Sequence, residues 1–264
     1  MAYQWLKLLF CFVVFTNTQV RGEVFLDLDL NLTIPGQVTE IGGLKSYVTE
    51  IGGLKSYVTG PDTSDTAIVL ISDVFGFEIP NLRKIADKIG AAGFYTVVPD
   101  FFNGDPYVSG QKTWGPWFSK HPAEKGITDA NKVIEALSQS KSINKIGAAG
   151  FCWGGKVAVD LSKPPSVRAI VLLHPTYVTE EDIPCVNVPV SILGGQADTQ
   201  VPPSLIKKYE SALEKTHKVD SFVKIFPGAE HGWTTRYNDT DAAAVERANE
   251  AHQDLLNWII KYVK

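Results

Sequence analysis

The chain has 264 residues, 44% of them hydrophobic and 20% charged, with a formal net charge of −4. That length and balance suit one large domain with a substantial core and exclude a disordered chain. No lysine or arginine run offers a footprint for nucleic acid or for an anionic membrane surface, which leaves a small neutral or anionic molecule as the expected partner.

The N-terminus, MAYQWLKLLFCFVVFTNTQVRG, has one basic residue, Lys7, then an apolar run from Leu8 to Phe15, then small and polar residues up to Gly22. Residues 1–22 thus have the pattern of a signal peptide, and 23–36 read as an N-terminal extension. The run is too short to anchor the chain across a bilayer; a buried helix or an upstream exon joined to a cytosolic enzyme would also account for it. Sequons at Asn31 and Asn238 are compatible with secretion, and location stays open between secreted and cytoplasmic. Three cysteines, Cys11, Cys152 and Cys185, are too few for a disulfide framework.

A domain is expected from residue 37 to 264. It opens on a tandem repeat, VTEIGGLKSY at 38–47 and again at 48–57. Ten is even, so a strand slipped by one copy keeps the same faces; one copy suffices to pair and the other extends a hairpin or loops out. The spacing then predicts strand 67–72, helix 81–92, strand 94–102, a Gly/Pro/Trp-rich excursion over 103–117, and helix 127–137. Strand 145–149, helix 154–161, strands 168–174 and 188–195, helix 205–213, strand 221–228 and helix 242–263 complete the order. Such alternation argues for an α/β fold with a mostly parallel central sheet and helices on both faces.

The chemistry gathers at GAAGFCWGGK. Its centre, Gly150-Phe151-Cys152-Trp153-Gly154-Gly155, has the form of a strand-to-helix nucleophile elbow with cysteine where serine is usual. The helix N-terminus behind Cys152 points positive charge at it, which suits a thiolate nucleophile. The plainer reading is a buried structural cysteine. A nucleophile needs a base and the base an orienting acid, in the chain order nucleophile, acid, histidine. His231, in AEHGW after a late strand, is the candidate base, and Asp198, after strand 188–195, the candidate acid; a turn or capping role for Asp198 is the alternative. His217 and His252 are expected to be solvated on helices, while His121 lies in the excursion and His174 ends a strand. Backbone N–H groups of Trp153 and Val74 are the candidates for an oxyanion hole.

GFCWGG, GGQADTQVP and AEHGW, with LISDVFGFE and VVPDFF, resemble the dienelactone hydrolase family of α/β-hydrolases, and most nearly its plant members. The resemblance covers residues 37–264 and implies the α/β-hydrolase fold, a Cys152, Asp198 and His231 triad, and hydrolysis of a small ester or lactone through a thioester acyl-enzyme. It implies that Asp73, one methylene shorter, stands where bacterial members have a glutamate that helps activate the thiol when substrate binds. Arg236 is the counterpart of an arginine that grips a substrate carboxylate, with Phe75, Trp114 and Trp233 as further substrate-binding residues. A second family arginine is missing from the excursion, where Trp114, Trp117 and Lys120 stand. No cofactor or metal is implied, and a monomer is expected. Two alternatives remain. Some plant members carry a β-glucanase name, and a glycan hydrolase would need a carboxylate pair, for which Asp73, Glu78, Asp100 and Asp105 are available. The other is a non-catalytic binding module on the same fold.

Overall fold

The computed structural model describes residues 39–41, 44–141, 143–163 and 165–264. The signal-peptide pattern, the extension with Asn31, and Cys11 lie outside the described residues. Among those described, nine strands form one sheet in the order β1-β2-β3-β5-β4-β6-β7-β8-β9. They are β1 (Thr39–Ile41), β2 (Leu44–Ile51), β3 (Leu54–Thr59), β4 (Thr66–Ile71), β5 (Tyr95–Pro99), β6 (Lys145–Phe151), β7 (Ile170–Leu173), β8 (Val190–Gly195) and β9 (Ser221–Phe226). The first three are antiparallel to their neighbours, and the pairings from β5 through β4 to β9 are parallel.

Parallel strands joined by crossover helices are covered on both faces, which is why the central strands read as unbroken apolar runs. Their period of two divides the core. Ala67, Val69 and Ile71 of β4 join Ile170 and Leu172 of β7 in one cluster, while Ile68, Leu70, Val171 and Leu173 point into the other. Helices α3 (Ala123–Ser140), α4 (Trp153–Leu161) and α5 (Pro203–Thr216) cover the first face with Val133, Leu137, Val157, Leu161, Ile206 and Tyr209. Helices α1 (Pro80–Ala91) and α6 (Ala242–Val263) cover the second with Leu82, Ile85, Ile89, Leu255, Ile259 and Val263. Asp241 caps α6 by accepting from the N–H groups of Ala243 and Ala244 at 3.0 and 3.1 Å. The excursion contains a short helix, α2 (Trp114–Lys120), which sequence spacing did not announce.

β4 connects to β5 on one side and its other neighbour is β6, so the crossover direction reverses between the loops that leave β4 and β6. In open α/β sheets that reversal opens a crevice at the carboxyl ends of the strands. Asp73 and Val74 follow β4, and Cys152 follows β6.

The duplicated segment builds sheet. β2 carries the end of the first copy and the start of the second, and the pairing of Ile41 with Leu44 repeats as that of Ile51 with Leu54. Gly52 and Gly53 make the second turn at φ 59° and 80°, the positive pair that a tight hairpin requires. The added strand is tied in by side chains: Ser46 donates to Thr59 and Asp87, and the Tyr47 and Tyr95 hydroxyls lie 3.2 Å apart. Deleting either copy yields the same sequence, with one hairpin and without Ser46 and Tyr47. The shortened protein is expected to unfold in urea as a single transition with stability reduced by roughly 2 kcal/mol, the worth of two such hydrogen-bonded side chains. Loss of cooperative unfolding would show that the sheet depends on both copies.

Candidate active site

Cys152 occupies the turn between β6 and α4 at φ 52° and ψ −112°, a conformation that L-residues rarely adopt. The turn closes because positions 150 and 154 lack side chains: a Cβ at Gly150 would lie 2.1 Å from the Gly154 carbonyl oxygen, and one at Gly154 would lie 2.2 Å from that of Ile71. Cys152 is therefore the first residue past the strand whose side chain can stand above the sheet. Trp153 opens α4, where its N–H has no intrahelical acceptor and is free to face a developing oxyanion. Val74 is buried in the loop after β4, and its carbonyl accepts from Tyr107 N–H at 2.8 Å, which fixes that loop.

His231 and Asp198 meet above the ends of β9 and β8. Asp198 Oδ2 lies 2.8 Å from His231 Nδ1, while Oδ1 accepts the N–H groups of Gln200 and Val201 at 2.8 and 2.9 Å. Three donors thus converge on a carboxylate that is 2% exposed. This holds the imidazole with Nε2 turned from the acid. That nitrogen is buried without a well-formed hydrogen bond, yet Cys152 acts on it. Burial alone would lower the His231 pKa, but the hydrogen bond to Asp198 and the interaction and charge of Cys152 outweigh it and push it up to about 9.

Thr176 was not anticipated. Its N–H donates to the Cys152 carbonyl at 3.0 Å, and its hydroxyl lies 3.5 Å from the sulfur. His174 was not anticipated either: it is fully buried, its ring stands edge-on to that of His231 at 5.1 Å, and its Nε2 lies 2.8 Å from the Thr234 hydroxyl. Burial lowers the His174 pKa well below the ordinary value, and the charges of His231 and Arg236 act in the same direction. It is a neutral floor beneath the base. Pro175, the residue after His174, was the one local sign of a turn at a strand's carboxyl end.

Two sequence expectations, those for Trp233 and His252, need correction, and the pairing of Asp73 with Arg236 was not foreseen. Trp233 is buried against Phe226 and His174, so it supports the His231 loop from within the core and does not line the mouth. His252 is buried, not solvated: its Nε2 lies 2.8 Å from the Thr234 carbonyl, and burial lowers its pKa to about 4. Asp73 does not turn to the sulfur. Its carboxylate accepts from the Phe75 N–H at 2.9 Å, from the Thr235 hydroxyl, and from Arg236 Nη1. Arg236 is correspondingly paired with Asp73 and lies 4.9 Å from the ring centre of Phe75. Burial raises the Asp73 pKa, against which the charge of Arg236 acts.

Phe75 and Trp114 stand half-buried and exposed respectively at the rim. A cavity of about 200 Å³ is lined by Thr176, Tyr177, Gln200 and Val201 among others. Another, of about 460 Å³, is lined by Lys55, Phe75 to Glu78, Asp100, Asn103, Gly104 and Pro106; neither lining includes Cys152, Asp198 or His231. Among the described residues no three His, Cys, Asp or Glu side chains are grouped as a metal ion requires.

The sequence profile of the dienelactone hydrolase family matches residues 54–261. The chain belongs to that family. It is 33% identical to the carboxymethylenebutenolidase homolog of Xenopus tropicalis over 86% of this chain and 91% of that protein. It is 42% identical to a Zea mays protein named endo-1,3;1,4-beta-D-glucanase over 67% of this chain, a match that spans 54% of the maize protein's length. The crystal structure of dienelactone hydrolase from Anabaena variabilis superposes with a TM-score of 0.62 over 87% of this chain and 99% of that one at 17% identity, a likeness of fold. The protein is an enzyme of this hydrolase family with the α/β-hydrolase architecture.

Two predictions follow from the charges. Removing Arg236 leaves a buried, unpaired carboxylate, so Arg236→Met should destabilise the protein on the order of 3 kcal/mol, and Asp73→Asn in that background should recover much of it. Additive losses in a denaturation cycle would show that the pair is uncoupled. His231, with its pKa raised from 6.5 to about 9, stabilises the fold fully below pH 6.5 and loses that contribution as pH rises through 9. The melting temperature should therefore fall across this window, with a shallower slope in His231→Gln; identical slopes would exclude His231 as the source.

Proposed function

We propose that the enzyme hydrolyses small carboxylic esters or lactones through a thioester on Cys152. The observation that carries this reading is the Asp198–His231 pair, whose free imidazole nitrogen is coupled to a cysteine held in a strained elbow at a helix N-terminus.

Transfer of the thiol proton to His231 gives a thiolate and imidazolium, which Asp198 stabilises. The thiolate attacks the carbonyl carbon, and the oxyanion that forms is held by the N–H groups of Trp153 and Val74. Collapse breaks the ester bond, the leaving oxygen takes the proton from His231 Nε2, and the acyl group remains on sulfur. Water then gives a proton to His231 as its oxygen attacks the thioester; the carboxylic acid leaves and the thiol is restored. Thr176 beside the sulfur fixes the direction of attack. A substrate carboxylate that competes for Arg236 would release Asp73, giving the carboxylate a thiol-activating role only with such a substrate.

A glycan hydrolase is the second reading, favoured by the name of the maize relative. It requires two carboxylates free to flank one glycosidic bond. Asp73 is held by Arg236, and Asp105 by Lys112 and His121. Asp100 accepts the Phe102 and Gly104 N–H groups, and Glu78, 3.9 Å from Lys55, is the most open of the four. A cysteine, histidine and aspartate set has no part in that chemistry.

Acid quench of the enzyme turning over p-nitrophenyl acetate should show, by intact mass, one acetyl group, absent from Cys152→Ala. That variant should stay folded yet lose hydrolysis, and Cys152→Ser should retain a small fraction of it. Hydrolysis undiminished in Cys152→Ala would exclude the thiol mechanism. Reducing sugar released from mixed-linkage glucan by both wild type and Cys152→Ala, without ester hydrolysis, would establish the glycan reading instead.

A further inference from the structure

Two of the four most exposed large hydrophobic residues among those described, Trp114 and Tyr177, belong to one line of aromatic rings at the mouth of the site. It begins at Phe75, next to the oxyanion candidate Val74. Phe75 lies 6.2 Å from Tyr107, and Tyr107 lies 5.1 Å edge-on from Trp114. Trp114 stacks on Phe118 at 5.5 Å and 20°, and Phe118 stacks on Tyr177 at 4.7 Å and 28°. The line ends next to Thr176, whose hydroxyl is beside the Cys152 sulfur. One end is thus next in sequence to the oxyanion candidate Val74 and the other next to Thr176, and the rings form an arc between these two points.

Rings exposed at 39% and 43% give up burial that a core would have provided. Tyr177 also sits at φ 61°, in the left-handed region that a bulky residue avoids. The preceding residue, Thr176, donates its N–H to the Cys152 carbonyl, so the segment that carries the ring is tied to the elbow. Behind the arc, Trp117 contacts Tyr107 and Trp114 at 5.4 and 5.5 Å, and donates its indole N–H to the Asp105 carbonyl. Trp153 donates its own to the His121 carbonyl. The arc is thus backed by rings already fixed to the elbow, and it needs little ordering to receive a ligand. The rings carry no charge, while Arg236 at one end is held by Asp73 and Lys112 of the excursion by Asp105.

We propose that this arc is the substrate-selecting site of the enzyme and takes a neutral, planar aryl group of the ester, stacked on Trp114 and Tyr177 at the rim. The proposal rests on the ester hydrolase reading for its reaction and names the substrate class: aryl-bearing esters in preference to alicyclic or short alkyl ones. Offset or edge-on contact with these faces favours a flat π-system over a saturated ring of equal size.

The test uses two matched pairs with the full chain. Benzyl acetate against cyclohexylmethyl acetate varies the alcohol side, and methyl 3-phenylpropanoate against methyl 3-cyclohexylpropanoate varies the acyl side, all followed by proton release. In at least one pair the planar member should have a kcat/KM about fivefold higher, chiefly through KM, as expected from one aromatic contact. Trp114→Leu and Tyr177→Leu, both at exposed positions, should abolish that preference. Equal kcat/KM values within both pairs, or a preference that survives in both leucine variants, would overturn the proposal while leaving the hydrolase reading intact. If none of the four esters is hydrolysed, titration of Cys152→Ala with the two acetates decides it. Tighter binding of benzyl acetate, lost when Tyr177→Leu is added, supports the arc independently of the reaction, and equal affinities overturn it.

Discussion

Cys152 can stand at the top of β6 only because the backbone turns more sharply there than side chains at 150 and 154 would permit. The carbonyls of Gly154 and Ile71 occupy the space where those Cβ atoms would be. The turn is enforced from both sides, since β6 is paired over its length with β4 and along its end with β7, and α4 is buried along Val157, Ala158 and Leu161. A conformation that costs an isolated cysteine on the order of 1–3 kcal/mol is over-determined by that packing. Everything else at the site is arranged around the place the sulfur is given.

The second constraint is the burial of charge. A base at the carboxyl edge of a sheet, walled by rings, would be neutral through desolvation unless an acid compensated it, and Asp198 does so while its other oxygen is satisfied by two amides. The layer beneath contributes in the opposite way. His174 and His252 are kept uncharged by burial and bind the two sides of Thr234, the hydroxyl and the carbonyl. An imidazolium directly under His231 would oppose its protonation; a neutral ring shapes the pocket without that cost. The neutrality of one buried histidine layer and the charge of the next are thus parts of a single electrostatic arrangement.

The elbow and the alternation of strands with helices were legible in the sequence because each has a local signature, glycines around a cysteine and short β-branched apolar runs between helical stretches. Asp198 and His231, which the structure brings within 2.8 Å, stood out as an acid and a histidine just past strand ends. The residues that complete the site have none. Thr176 and Tyr177 owe their roles to a loop whose path depends on a bond to Cys152, and His252 is buried because a helix face that looks polar in sequence meets Thr234 and Lys88 in space. Trp233 was assigned to the substrate because an aromatic beside a catalytic histidine is ambiguous until the side of the loop it takes is known. Asp73 and Arg236 were each given a separate role, since residues 163 positions apart give no sign that they pair.

Strain is not spread evenly over the chain. Of the five non-glycine residues at positive φ among those described, three are Cys152, His174 and Tyr177, all at the carboxyl ends of the adjacent strands β6 and β7. Cys152 is the candidate nucleophile, His174 lies edge-on to the candidate base His231, and Tyr177 ends the line of aromatic rings. These strands are also among the most deeply buried, with β7 wholly enclosed and β6 exposed only at its first residue. Two of the three, Cys152 and His174, directly follow these buried strands, so their strain lies where the sheet yields little. Cys152 directly follows β6 and its carbonyl accepts from the Thr176 N–H, so the candidate nucleophile and the segment that carries Tyr177 are fixed to one another by the backbone before any ligand arrives.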